Sequence, residues 1–425
     1  MSYLEQSSGT PLAPVEILPC PDEGYRPYER SLFVGRGHEL DGIKHKVETG
    51  LGGFLITQPV VNIWGGPGIG KSWLLAHLQE EYRFDPRQKT NQRTEKDKTF
   101  SVLVDFRKSP FTLWEPSSIT GVFGGIADQI KGQLGDAAGR VNRQFEAFEA
   151  ALADFRASSK IYEDIADMAE QLAGLIDHLG STLVPVLLFD AVERLEMDYW
   201  FWLESHLIEP IVRNDQAIMI LASRREIPRW LEFSVRQRKD EWELREFGRQ
   251  ETRRQLELAK LGCGHISDLV HFLSSGHPYA NELLAQRLQP LAPGQQAHRG
   301  EAADILGEIE DRLLSEVKSD WMKEALRDLS PLRQFNLESM RELLDPKKYG
   351  TLEFTDAYLH RMLCKLTDNT NLVWWDKERR GYVVAPGLRR IMDTRNRLKN
   401  PEEYYRRHQA AVELYTEWMK EYRTV

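Results

Sequence analysis

The chain has 425 residues, too many for one ordinary core, so its length predicts two to four domains. Lys and Arg total 56 against 65 Asp and Glu, and a net charge of −9 argues against a chain built mainly to coat nucleic acid, with room left for a local basic patch. Cys20, Cys263 and Cys364 form no C-x-x-C, and neither a long apolar run nor a secretory leader is present; free thiols, no membrane span and a cytoplasmic location are expected.

Residues 1–30 are polar and spotted with Pro11, Pro14, Pro19, Pro21 and Pro27, which predicts an arm without a fold of its own. Phe33-Val34-Gly35-Arg36 follows, then a helix with Leu40, Ile43, Val47 and Leu51 on one face. Pro59–Trp64 reads as a strand. It runs into Gly-Gly-Pro-Gly-Ile-Gly-Lys-Ser at 65–72, a full match to G-x-x-x-x-G-K-[ST], and then a helix carrying Leu74, Leu75, Leu78 and Tyr82. Past a charged stretch, Asp85–Lys98, come a strand over Phe100–Phe106 and two long helical patterns within Leu113–Leu179. Val184–Asp190 and Ala217–Ser223 are apolar strands, and a fifth ends near Leu244. Apolar strands without alternation, separated by helices, indicate a parallel sheet covered on both faces.

Gln250–Gln286 is helical in pattern, and Gln289–Gln296 is a linker by composition. Helices over 302–317, 320–329, 336–345 and 353–366 precede two strands, Leu372–Trp375 and Tyr382–Val384, around a turn; this order reads as a winged helix. A last helix, 401–423, aligns Ala411, Tyr415, Trp418 and Tyr422. The expected partition is an arm (1–30), a P-loop nucleotide-binding domain (31–244), a helical lid with linker (245–300), a winged-helix domain (301–400) and a C-terminal helix (401–425).

The glycine-rich loop is the chemical centre. Gly66, Gly68 and Gly70 let backbone N–H groups converge on a polyphosphate, which Cβ atoms would block, and the loop with Ile69 and Trp73 opens a helix whose N-terminus favours anions. Lys71 is expected on the β- and γ-phosphates and the Ser72 hydroxyl on Mg²⁺. Asp190, closing an apolar strand, is the second Mg²⁺ residue. Glu193 is placed to polarise the attacking water, although a solvated helix carboxylate explains it nearly as well. Arg224, at another strand end, is a reader of the γ-phosphate. No Asn-Lys-x-Asp guanine reader follows a strand, so the expected nucleotides are ATP and ADP.

Phe33–Arg36, the 65–72 loop, Leu187–Asp190, Ala222-Ser223-Arg224, Gly276-His277-Pro278 and the winged helix occur in this order. The set resembles a STAND-class signal-transduction NTPase, related to NB-ARC and NACHT switches, over about residues 30–400. The resemblance implies an α/β P-loop sheet of order 5-1-4-3-2, Val34 and Arg36 against base and ribose, and Pro278 bringing the lid to the nucleotide. It also implies a cycle between ADP-closed and ATP-open forms with slow hydrolysis, in signal transduction or defence, and nucleotide-dependent homo-oligomers. Many such proteins place a histidine on the phosphates where this chain has Ala385, and a sensor and an effector usually flank the core. Here the terminal helix is expected to dock a protein partner or a sensor, the chain being a fragment or its other parts separate chains. The alternative is a replication-initiator-like ATPase using Lys377, Arg379, Arg380, Arg389, Arg390, Arg395, Arg397 and Lys399 on DNA, a partner the net charge disfavours; solvated basic turns explain the same residues. A third is a nucleotide-bound scaffold without turnover.

Overall fold

The computed structural model describes residues 26–84, 98–108, 116–135, 141–157, 161–213, 217–227, 229–261, 264–288 and 299–423. Most of the arm, most of the charged 85–98 stretch, Cys20, Cys263 and the 289–296 linker lie outside them. Five strands form one sheet: β1 (Val60–Trp64), β2 (Thr99–Asp105), β3 (Val184–Asp190), β4 (Ile218–Ser223) and β5 (Lys239–Glu243). All neighbours are parallel, in the order β2-β3-β4-β1-β5, which is the expected 5-1-4-3-2.

Strand alternation sends side chains to two separate cores. Phe100, Val102, Leu187, Phe189, Met219 and Leu221 pack beneath three long helices, Pro116–Leu134, Asn142–Ala157 and Ile161–Gly180. The two long helical patterns expected here are thus three helices. On the other face Val61, Ile63, Val186, Leu188 and Ile220 meet the helices Gly37–Leu51 and Lys71–Glu81. The β2 edge has no further strand beside it among the described residues; Gln129 and Gln133 of the helix Pro116–Leu134 take its outward backbone groups instead. The Gln129 side chain accepts from Leu103 N at 3.0 Å and donates to Leu103 O at 2.9 Å, and Gln133 does the same at Ser101.

The helical stretch after β5 divides into Arg249–Leu258, Gly264–Ser274 and Pro278–Leu288. Ser275 and Gly276, both at positive φ, break the last two apart, and a Cβ on Gly276 would run into the Phe247 carbonyl. Helices Arg299–Leu313, Asp320–Leu329, Leu337–Leu343 and Asp356–Thr370 lead to an antiparallel hairpin, β6 (Val373–Asp376) with β7 (Gly381–Val384). Phe335 and Tyr382 exchange backbone hydrogen bonds of 2.8 and 2.9 Å, adding a rung to it. Pro386–Lys399 and Pro401–Arg423 follow. One continuous apolar cluster runs from Leu256 to Ala411 through this half. No helix among the described residues is long and apolar enough to cross a membrane.

Candidate functional site

Every strand of a parallel sheet ends on the same side, so β1 to β4 end along one edge, and of their last residues Asp190 lines the cavity there. Asp105 and Asp190 stand opposite each other at the ends of β2 and β3, and Trp64 and Ser223 at the ends of β1 and β4. The loop after β1 bends there because Gly68 and Gly70 take φ of +72° and +99°. One cavity is lined by Val34, Arg36, Gly68, Gly70, Lys71, Ser72 and Trp73, and also by Asp190, Glu193, Arg224 and Pro278. The fold is that of a P-loop nucleoside triphosphatase.

Lys71 Nζ donates to the Gly65 and Gly66 carbonyls at 2.6 and 2.9 Å. Burial lowers this ammonium to about 8, against the opposing pull of Glu193. Gly66 and Ile69 face away from the cavity, toward a cleft shared with Trp374, Pro386 and Leu388. Arg36 reaches the cavity wall, but its Nη1 and Nη2 donate to Arg245 O at 2.7 Å and Ile69 O at 2.6 Å. It therefore braces the loop against the segment after β5.

Asp190 is buried. Its Oδ1 accepts from Ala191 N at 2.9 Å and its Oδ2 from Arg107 Nη2 at 2.6 Å. Glu193, in the 3₁₀ turn Val192–Arg194, is held through Oε1 by Arg224 Nε at 3.1 Å; its Oε2 is buried with no hydrogen-bond partner. Arg224 also pairs with Glu316 of the C-terminal half, and Arg194 reaches the same carboxylate at 2.5 Å. Ser72 and Asp190 are hard oxygen donors on one cavity, so the residues fit Mg²⁺ carried in with phosphates, and the orphaned Glu193 oxygen beside them is a free acceptor. No group of three or more His, Cys, Asp or Glu suited to a metal occurs among the described residues.

The opposite wall is the helical region. His277 Nε2 donates to Pro67 O at 2.9 Å, while Nδ1 accepts from Ala280 N at 3.3 Å, which fixes the neutral tautomer. Burial lowers this imidazole to about 4. A Cβ on Gly68 would sit 2.8 Å from the His277 ring and 3.0 Å from Tyr279, so glycine is required for this contact. Ala385 lies beside Gly66, Trp64 and Trp374 meet edge-on at 5.9 Å, and Arg390 pairs with Glu246. The C-terminal half thus closes on the phosphate loop.

The N-terminal segment forms a strap over the cavity. Trp73 Nε1 donates to Arg26 O at 3.1 Å, Arg26 pairs with Glu282 at 3.2 Å, and Phe33 stacks on His77 with ring centres 4.1 Å apart. Tyr28 bonds His77 at 2.8 Å, and burial together with Glu80 pushes its hydroxyl up to about 12. Sequence reasoning missed Arg107, Glu316, Arg26 and Glu282; none belongs to a motif, and the partners that tie them into the site, Asp190, Arg224 and each other, lie far along the chain.

No family model matches this chain, and no curated protein matches it. Among solved structures it is similar to Cdc6p from Pyrobaculum aerophilum (15% identity, 88% of this chain and 97% of that one, TM-score 0.39). It is also similar to the Orc1 protein of Aeropyrum pernix in complex with DNA (14%, 87% and 93%, 0.41) and to a RuvB variant from Thermotoga maritima (13%, 84% and 95%, 0.39). Superpositions this loose say nothing about what the chain binds.

Proposed function

We propose that the chain is an ATP-binding molecular switch of the STAND, NB-ARC-like kind, with slow hydrolysis and a cycle between an ADP-bound closed form and an ATP-bound open form. The observation that carries this is Arg224: it lines the phosphate cavity, yet is held by Glu316 of the C-terminal half. A terminal phosphate at the cavity and the closed arrangement therefore compete for one guanidinium. Lys71 and the loop N–H groups bind the phosphates; Ser72 and Asp190 hold Mg²⁺, which neutralises phosphate charge; the bare oxygen of Glu193 orients the attacking water. On this reading residues 245–300 are the lid, 301–400 a winged helix folded onto the loop, and the helix Pro401–Arg423 the docking element for a protein partner in the cytoplasm.

The DNA-acting alternative draws less support. Lys377 pairs with Glu226 at 3.3 Å, Arg379 with Asp376 at 3.6 Å, Arg395 with Glu310 at 2.9 Å and Arg390 with Glu246, while Arg389 donates to Ser330 O at 3.1 Å. Arg389 and Arg395 are turned inward and are poor phosphate contacts, whereas the exposed pairs of Lys377 and Arg379 are weak and leave those groups open to phosphate. The deciding experiment identifies the co-purifying nucleotide and follows mass and radius in ADP and in ATP with Mg²⁺. Bound ADP with a more open or larger species in ATP is expected; failure to bind either nucleotide, or identical hydrodynamics in both, refutes the switch.

A further inference from the structure

Arg107 lies two residues past the end of β2 and lines the phosphate end of the cavity with Lys71, Ser72 and Asp190. Its Nε and Nη2 fork onto Asp105 at 2.8 and 3.0 Å, and Nη2 also donates to Asp190 Oδ2 at 2.6 Å. The guanidinium stays firmly protonated: burial opposes its charge, but the Asp105 bonds and the Asp190 charge outweigh burial. With Ala191 N on Oδ1, both oxygens of the Asp190 carboxylate are engaged, one of them by a cation.

A divalent cation bound through Asp190, directly or by way of water, draws on that same carboxylate and repels a guanidinium already there. Resting on the nucleotide-binding reading, we infer that Arg107 is the resident counter-ion of the Mg²⁺ carboxylate and competes with Mg²⁺ for Asp190. It thereby sets the Mg²⁺ concentration at which nucleotide binds. Asp105 governs how readily Arg107 gives way. Because the Asp105 fork uses Nε as well as Nη2, the guanidinium keeps one carboxylate partner when Asp190 passes to the metal, and it remains at the cavity wall as a cation. Arg107 is thus a positioning residue acting through Asp190.

The test measures the affinity of a fluorescent ADP and of a non-hydrolysable ATP analogue as Mg²⁺ is raised from chelated to saturating. Arg107→Met should lower the Mg²⁺ midpoint about tenfold, the factor carried by one charge-assisted hydrogen bond. Asp105→Asn removes the charge that draws Arg107 away from Asp190 and should raise the midpoint several-fold. Opposite shifts separate competition from misfolding, which weakens binding without moving the two midpoints apart. Midpoints that stay at the wild-type value, or shift in the same direction, overturn the inference. If the wild-type chain binds neither nucleotide, the nucleotide reading fails on its own. Mn²⁺ binding to the nucleotide-free protein, followed by EPR, then decides: Arg107→Met must bind the ion more tightly than wild type, and equal affinity overturns the claim.

Discussion

Replacing Glu316 with Gln tests whether the nucleotide site and the C-terminal half share a residue. The Glu316 side chain is 28% exposed and sits between two guanidinium groups, that of Arg224, itself 15% exposed, and that of Arg194. Exposed pairs contribute about 0.2–1 kcal/mol; breaking a buried one costs about 3–5 kcal/mol. This half-buried carboxylate falls between, at about 2 kcal/mol, or a factor of about 30 in the closed-to-open ratio. Glu316→Gln keeps the volume and removes the charge. A nucleotide that uses Arg224 through its terminal phosphate no longer works against that pair, so affinity for a non-hydrolysable ATP analogue should rise by up to about 30-fold. ADP, which the closed form binds, should gain nothing and should lose affinity to the extent that the closed form is depopulated. Calorimetry with both ligands reads this directly. Glu308→Gln, which breaks an exposed pair with Arg287 in the same region of the chain, is the control and should change neither. Equal gains for ADP and ATP, or no gain, would refute the link between Arg224 and the terminal phosphate.

Lys71→Ala should abolish binding of both nucleotides in a chain that remains folded by circular dichroism, since no neighbour in the loop duplicates its charge; unchanged calorimetric affinity removes the central claim. Affinity should also depend on pH. Lys71 loses its proton at about 8 rather than 10.5, and only the ammonium attracts phosphate, so binding is full below about pH 8 and weakens above it, toward tenfold per unit. The unfolded chain keeps that proton up to 10.5, so the lysine's contribution to stability rises with pH across the same window, opposite in sign to binding. Glu193→Gln should slow ATP turnover in a phosphate-release assay while sparing ATP affinity; unaltered turnover removes Glu193 from the chemistry. Gln133→Leu orphans the Ser101 backbone N–H and C=O and should destabilise the domain by about 2–6 kcal/mol in urea unfolding, at about 1–3 kcal/mol per buried group.

Local patterns carried the sheet. The apolar runs Pro59–Trp64 and Val184–Asp190 lie in β1 and β3 to within a residue, and the loop glycines announce a turn that only positive φ allows. β5, Lys239-Asp-Glu-Trp-Glu, was harder to see because an edge strand with little burial need not be apolar. The ion pairs that organise the site were invisible for another reason. Arg107 meets Asp190 across 83 positions and Arg26 meets Glu282 across 256; a single arginine or glutamate carries no local signal of such a partner. Arg36 shows a different limit. Its place at the cavity was readable, whereas its use as a brace for Ile69 and Arg245 depends on its left-handed backbone, φ +66°. Ala385, aligned by motif order with a phosphate-contacting histidine, lies beside Gly66 on the side of the loop turned away from the cavity, and does not line that cavity.

Gln129 and Gln133 also bear on how copies of this protein can associate. A sheet edge with open backbone groups is a template on which another chain can extend the ladder, the usual route to fibres and swapped strands. Here two amides one helical turn apart imitate the next strand's rungs, and they belong to a helix that cannot itself be extended sideways. At the far edge, β5 presents Lys239, Asp240, Glu241 and Glu243, and desolvating those charges against a second β5 is costly. Among the described residues neither end of this sheet invites growth, so assembly at it has to proceed through side-chain surfaces, where contacts can be made and undone without rewriting the backbone pairing.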